Sequence, residues 1–374
     1  MRPFLILLLA VTCLVGCARV LSTPSAADIV DDRQLLVLTA EDPRAVIEKA
    51  EPRGYVVTRI DDLTRLGETL IHLRIPGDLT IQQAIEEIEL LEPGVTAGAN
   101  HAYRLQSVVE EMAFADALID WPETGCRAYR PVGLIDAGVA ADHPGLRSGR
   151  IVQEVFHGTT LPPATDHGTL MADLLIGDGR LTGATLYSAN AVDPSGAGGD
   201  IAGVDAILRS VNWLRASGVD LINVSLAGPF NKLLDRGLGG AATDGAVFVA
   251  AAGNLGPSAP PQFPAAFPFV LAVTAVDRDL SAYRRAVRGD HIDLAAPGVD
   301  IVIESGGTLR VLSGTSAAAP YVTAIIAADR DLRSARSKDR VLTRLAGAAQ
   351  DLGPAGRDTI FGAGLVRAPD TCAP

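Results

Sequence analysis

Four residues able to share acyl-transfer chemistry stand in short stretches of small residues. Asp136 closes "VGLID", His167 lies in "DHGTLMA", Asn254 ends "AAAGN", and Ser316 sits in "SGTSAAAP". A serine hydroxyl is a weak nucleophile until a base takes its proton. An imidazole can take that proton and return it to a leaving group. An acid beside the imidazole fixes its tautomer and stabilises the imidazolium. A side-chain amide and the backbone N–H of a residue opening a helix can bind the oxyanion that forms. Singly, Asp136 reads as a cap or turn former, His167 as a surface or structural residue, Asn254 as a turn and Ser316 as part of a tight helix start. Their joint occurrence, each at the end of an element, is the signal.

The elements that must hold them alternate. From residue 129 on, "RPVGLID", "ATLYSANAV", "VDLINVSLAG", "AVFVAAAGN" and "FVLAVTAVD" read as strands. Between them "GTLMADLLIGDG", "DIAGVDAILRSVNWLRASG" and "NKLLDRGLGGAATDG" read as helices. Apolar strands alternating with helices predict a parallel sheet covered on both faces. Ligands of such sheets bind at the carboxyl ends of the strands, where the four residues fall. The chain has no G-x-S-x-G, which argues against the α/β-hydrolase arrangement. Acid, then His, then Ser on a parallel sheet is the subtilisin order.

The stretches "VGLIDAGVAADHPGL", "DHGTLMA", "INVSLAGP", "AAAGN" and "SGTSAAAPYV" resemble the signature segments of the subtilisin-like serine proteases. The resemblance covers roughly residues 129 to 368. It implies a serine endopeptidase acting on proteins or peptides through an acyl-enzyme intermediate. Asp136 would be the acid, His167 the base, Ser316 the nucleophile and Asn254 the oxyanion donor. Ser225, Leu226, Ala227 and Gly228, with Ala252 and Gly253, would flank the substrate. Ala317 follows Ser316 where many relatives carry Met. No acidic cluster matches the family's calcium sites, so no cofactor is expected and a structural calcium ion lacks support. A catalytically inactive subtilase-fold lipoprotein, acting as a binding or assembly factor, is the alternative reading. Against it, decay usually removes one of the four residues, and all are present.

Residues 34–105 read as a separate α+β unit. "QLLVLTA", "YVVTRI" and "TLIHLRI" are strands, and "GVTAGANHAYRL" is an extended segment. "DPRAVIEKAEPRG" is a helix opened by Asp42 and Pro43 and stopped by Gly54. "LTIQQAIEEIELLEPG" is an amphipathic helix with a Thr80–Gln83 capping box and Ile81, Ile85, Ile88 and Leu91 on one face. The order β-α-β-β-α-β is the ferredoxin-like pattern. Its layout is similar to the inhibitory propeptides of the resembled family. That implies an N-terminal domain acting as partner and inhibitor, cut from the protease between about Ala102 and Ala115. Residues 106–128 are expected to be a linker and 129–374 the catalytic domain.

The first residues, "MRPFLILLLAVTCLVGC", place Arg2 before an apolar run too short to span a membrane but of signal-peptide length. "LVGC" resembles the bacterial lipoprotein signal. It implies removal of residues 1–16, lipidation of Cys17 and a tether over 17–33. The protein is then expected in the cell envelope, membrane-anchored on the extracytoplasmic side. Ala18 lacks the Asp that often signals inner-membrane retention, which points to the outer membrane. Removal of Cys13 and lipidation of Cys17 leave Cys126 and Cys372 in an oxidising compartment, where they are expected to pair. The 374 residues, 48% hydrophobic with a net charge of −12, suffice for a large core and a smaller domain. No basic stripe is present, which argues against nucleic acid as a partner.

Overall fold

The computed structural model describes residues 29–105, 114–158, 165–194, 200–305 and 308–372. The leader, Cys17 and most of the tether lie outside them. Seven parallel strands form the central sheet. In spatial order they are Ile292–Pro297, Val270–Val276, Val247–Ala251, Leu221–Val224, Val132–Asp136, Thr185–Asn190 and Arg150–Val155. The five strands from Ile292–Pro297 to Val132–Asp136 are buried at every residue, as a sheet covered on both faces requires. The chain enters at Val132–Asp136, moves out to one edge, returns, and then builds the other half. The order of connection therefore reverses at the strand that ends in Asp136, where such sheets open a crevice.

Helices Asp166–Ile176 and Thr315–Ala328 cover one face. Helices Val204–Ala216 and Lys232–Thr243 cover the other. Every residue of Thr315–Ala328 is buried. A Cβ on Gly298 would stand 2.8 Å from the carbonyl oxygen of Gly314 and 2.9 Å from the Ala318 methyl. The small residues around Ser316 thus let a central helix press on the sheet and the loop before it, because larger ones would overpack the contact.

The N-terminal unit forms a four-stranded antiparallel sheet in the order Val56–Leu63, Glu68–Arg74, Gln34–Thr39, Thr96–Ala99. Helices Arg44–Ala50 and Ile81–Leu91 lie on one face. Thr80 and Gln83 form the capping box the sequence predicts. Strand Gln34–Thr39 shows why this sheet is stable beside the larger one. Leu35 and Val37 pack on the unit's own helices, and Leu36 and Leu38 pack on the helices of the central sheet. Alternate side chains point to opposite faces, so one strand serves two cores.

Two boundaries differ from the sequence reading. "GVTAGANHAYRL" breaks into two strands in different sheets. Thr96–Ala99 stays in the N-terminal unit, while Ala102–Leu105 joins strands of the larger body. The break falls at Asn100, whose Oδ1 accepts from the Val204 N–H while its Nδ2 donates to Asp205 Oδ1. The expected linker 106–128 is described only from Phe114 onward. From there it is part of the core: Ala115, Ile119, Trp121 and Cys126 are buried in the cluster that holds helix Thr315–Ala328. Cys126 is joined to Cys372, 246 residues away, by a disulfide.

Candidate active site

Asp136 is the last residue of its strand and fully buried. Its Oδ1 accepts from its neighbour Ala137 N–H at 2.6 Å and lies 2.7 Å from His167 Nδ1. His167 lies inside the first turn of helix Asp166–Ile176, which begins two residues earlier than the sequence suggests. Gly168 makes this approach possible. A Cβ there would fall 2.2 Å from the Ala137 carbonyl oxygen, so any larger residue would push the helix off the loop behind Asp136. Thr169 strengthens the contact by accepting the Ala140 N–H on its hydroxyl. With Nδ1 committed to the carboxylate, Nε2 is the proton-accepting end of the imidazole. That atom is buried and makes no hydrogen bond among the described residues.

Ser316 is the second residue of helix Thr315–Ala328, which packs against helix Asp166–Ile176. The two chemistry-bearing helix starts therefore belong to neighbouring helices. The Ser316 carbonyl accepts the Ser225 hydroxyl at 3.2 Å. Ser225 accepts in turn from Asn223 Nδ2, and Asn223 Oδ1 accepts from the Thr323 hydroxyl. This buried chain ties the strand end at Ser225 to the helix carrying Ser316 across two of its turns.

Asn254 follows the strand Val247–Ala251. Its Oδ1 accepts both the N–H and the hydroxyl of Thr315, at 3.1 and 2.9 Å. The Thr315 hydroxyl also accepts the Gly253 N–H. Holding Oδ1 in this way makes Nδ2 the outward donor of the amide. Ser316's N–H lies in the helix's first turn, whose N–H groups have no acceptor within the helix. The two donors bracket the start of that helix.

Of the flanking residues, Leu226 and Ala227 pair antiparallel with Leu105 and Arg104. On its other side Ala102–Leu105 pairs antiparallel with Ile201–Gly203. The end of the N-terminal unit is therefore a strand inserted between two strands of the larger body, next to Ser225, whose hydroxyl meets the Ser316 carbonyl. Gly228 exchanges both backbone hydrogen bonds with Phe263. Ala252 donates its N–H to Val273, within the sheet, and Gly253 takes φ +101°, a conformation suited to glycine. The sequence reading missed Ile201–Gly203, which looks like the start of a helix, and missed Thr315, Asn223 and Thr323. Their type carries no signal, since only the fold brings their hydroxyl and amide groups together. Among the described residues no group of three or more His, Cys, Asp or Glu is placed to hold a metal ion.

Comparison with known proteins gives the family and the fold. A family model described as "Subtilase family" matches residues 131–364. The chain is 28% identical over 245 residues to the minor extracellular protease Epr of Bacillus subtilis, a match covering 63% of this chain and 37% of that one. It is 31% identical over 247 residues to subtilisin DY of Bacillus licheniformis, covering 88% of that protein. The fold is similar to that of fervidolysin from Fervidobacterium pennivorans, described as a keratinolytic enzyme related to subtilisin. That likeness has a TM-score of 0.76 and 22% identity, and covers 94% of this chain and 62% of the other.

Proposed function

The chain belongs to the subtilase family of serine proteases, and on that premise we propose that it hydrolyses peptide bonds through Asp136, His167 and Ser316. The observation that carries the reading is the 2.7 Å contact of Asp136 with His167 Nδ1, made at the edge of the sheet where helix Thr315–Ala328 begins. His167 takes the Ser316 proton as Oγ attacks the carbonyl carbon. It then gives that proton to the departing amine, leaving an acyl-enzyme that water hydrolyses by the same steps reversed. Asp136 keeps the imidazole in the right tautomer and stabilises its cation. The oxyanion is bound by Asn254 Nδ2 and the Ser316 N–H.

The N-terminal unit is read as an inhibitor of the same site. Ala102–Leu105 fills the place between Ile201–Gly203 and Leu226–Ala227 by β-strand addition, the mode in which an extended peptide is held. A chain running antiparallel past Leu226 meets Ser225 next, and Ser225 is bonded to Ser316. The Gln106–Ser107 bond is therefore the one we expect to be cut, by Ser316 of the same chain. It lies outside the described residues and within the range expected from sequence. The leader supports a lipid anchor on Cys17 and a place in the cell envelope, most simply at the outer membrane. A cut at residue 106 leaves the lipid on the N-terminal unit and retains the protease only while the two stay associated.

Labelling with a fluorophosphonate probe tests the nucleophile: wild type should label and Ser316→Ala should not. Fragment masses of both chains test processing. Wild type should yield a fragment beginning at Ser107 and Ser316→Ala should remain whole. Cys17→Ala should leave the membrane fraction, and unchanged partition in that variant removes the anchor. A labelled, peptide-hydrolysing wild type that stays uncut gives the N-terminal unit a permanent role instead.

A further inference from the structure

A pocket of about 360 Å³ has none of the triad residues in its wall, yet draws on both helices that carry them. Leu174 comes from helix Asp166–Ile176 and Tyr321 from helix Thr315–Ala328. Arg180 is its central polar group. The guanidinium carbon lies 5.5 Å from the Trp121 ring centroid and 4.9 Å from that of Tyr321, and stacking on aromatic faces holds a guanidinium in place. Nη2 donates to Asp116 Oδ2 at 2.8 Å. Nη1 is buried and has no acceptor among the described residues, and the same holds for Trp121 Nε1. Trp121 is only 6% exposed. The backbone beneath is held on both sides. Cys126 donates its N–H to the Arg180 carbonyl at 2.8 Å, and a Cβ on Gly125 would stand 2.0 Å from the Gly179 carbonyl oxygen.

Two buried donors in the wall of one pocket are costly to leave unpaired, and an incoming carboxylate would recover that cost. An anion alone is opposed by Asp116 and Glu123, whose carboxylates stand in the same wall. A cation alone leaves both donors unpaired. We propose that this pocket binds a small zwitterion of the amino-acid kind. Its carboxylate accepts from Arg180 Nη1 and Trp121 Nε1, its ammonium group meets Asp116 and Glu123, and its apolar side chain lies on Leu174 and Ile303. Such an occupant touches the helix of His167 and the helix of Ser316 together, so binding stabilises the fold that holds them. The inference does not rest on the proposed peptide hydrolysis.

The experiment follows thermal unfolding of the full-length Ser316→Ala chain, which keeps ligand binding separate from hydrolysis and leaves the test intact if the protease reading fails. Three probes are titrated: leucine, 4-methylpentanoate (leucine without its amine) and 3-methylbutylamine (leucine without its carboxylate). Leucine at about a hundred times its Kd should raise Tm by about 5 °C. Each single-charge probe should bind about tenfold more weakly or worse. Trp121→Phe keeps a ring and drops the N–H. It should weaken leucine and 4-methylpentanoate by about tenfold and leave 3-methylbutylamine unchanged. Glu123→Gln should do the opposite, weakening leucine and 3-methylbutylamine and strengthening 4-methylpentanoate. Glu123 is exposed, so this variant keeps the test open if Trp121→Phe fails to fold. Leucine binding that neither substitution weakens would put the ligand elsewhere and overturn the assignment. 4-Methylpentanoate binding as tightly as leucine would make this an anion site and reject the zwitterion. No shift with any of the three overturns the site.

Discussion

Thr315 and Asn254 share two hydrogen bonds, the threonine donating both its N–H and its hydroxyl to the same amide oxygen. On the proposed mechanism, the residue before the nucleophile thus aims the oxyanion donor. Asn254→Ala should lower kcat about 10²- to 10³-fold with little change in KM, because the lost bond forms only as charge develops. Thr315→Val keeps the shape and the backbone N–H but drops the hydroxyl. It should lower kcat by about tenfold, the scale of one hydrogen bond, and leave fluorophosphonate labelling complete but slower. A Thr315→Val enzyme with wild-type kcat would show that the N–H alone orients the amide.

The residues of the candidate site were easier to find in the sequence than the elements around them. Asp136, His167, Asn254 and Ser316 sit at element ends beside residues such as Gly168 that tolerate no substitution, so the motif is local and dense. Five of the seven strands of the central sheet were legible as largely apolar runs. The two edge strands, Ile292–Pro297 and Arg150–Val155, were missed. Ile292–Pro297 is buried throughout but short and broken by Asp293. Arg150–Val155 has Arg150, Gln153, Glu154 and Val155 exposed and carries no clear alternation. The break at Asn100 could not be read at all. "GVTAGANHAYRL" is extended on both sides of it, and the choice of sheet rests on partners more than one hundred residues away. The residues after Phe114 read as linker because each joins the core singly, through Trp121 or Cys126, without periodicity.

The disulfide ties the start of the catalytic body to its end. Cys372 and Cys126 are both buried in the main core cluster. Closing a loop with a sequence separation of 246 residues limits the unfolded chain, and the chain-entropy model gives about 5 kcal/mol as the upper end of the effect. Cys126→Ser with Cys372→Ser should lower Tm by more than about 10 °C and leave kcat near wild type. Thiol counting on denatured, unreduced protein should find neither cysteine reactive. Two reactive thiols would show that the pair is reduced in the mature protein.

His291 gives the catalytic body a sensitivity to acid. Burial pushes its imidazole below the ordinary value, opposed by the Asp293 charge and assisted by Lys338. Its Nε2 is buried with no hydrogen bond among the described residues. The folded protein therefore binds a proton here less readily than the unfolded chain does. The stabilisation is fully present above the unfolded value of about 6.5 and is lost as the pH falls from there through the lower folded value. Wild-type Tm should drop between pH 7 and pH 5, and His291→Asn should flatten that part of the curve. Parallel curves for the two proteins would place the acid sensitivity elsewhere.

Arg236 holds the N-terminal unit to the catalytic body. From helix Lys232–Thr243 it reaches Glu68 with Nε at 2.5 Å and Nη2 at 3.0 Å, and the Thr96 hydroxyl with Nη1 at 2.8 Å. Such a two-pronged contact is stronger and more directional than a single ion pair. Glu68 is 11% exposed in its side chain, so removing the arginine leaves a largely buried carboxylate without its partner. Arg236→Ala should weaken association of the two units by about 2–3 kcal/mol, near a hundredfold in Kd. Glu68→Gln with Arg236→Ala should recover part of that loss, because no bare charge is then left in the seam. In processed protein the readout is co-elution of the two fragments; in uncut protein it is the rate of proteolysis of residues 34–105. The Leu36 and Leu38 face should hold the units together at high salt, which weakens ion pairs far more than apolar contact. If Arg236→Ala releases nothing while Leu38→Asp separates the units, the apolar face alone sets their affinity and the arginine fixes only their alignment.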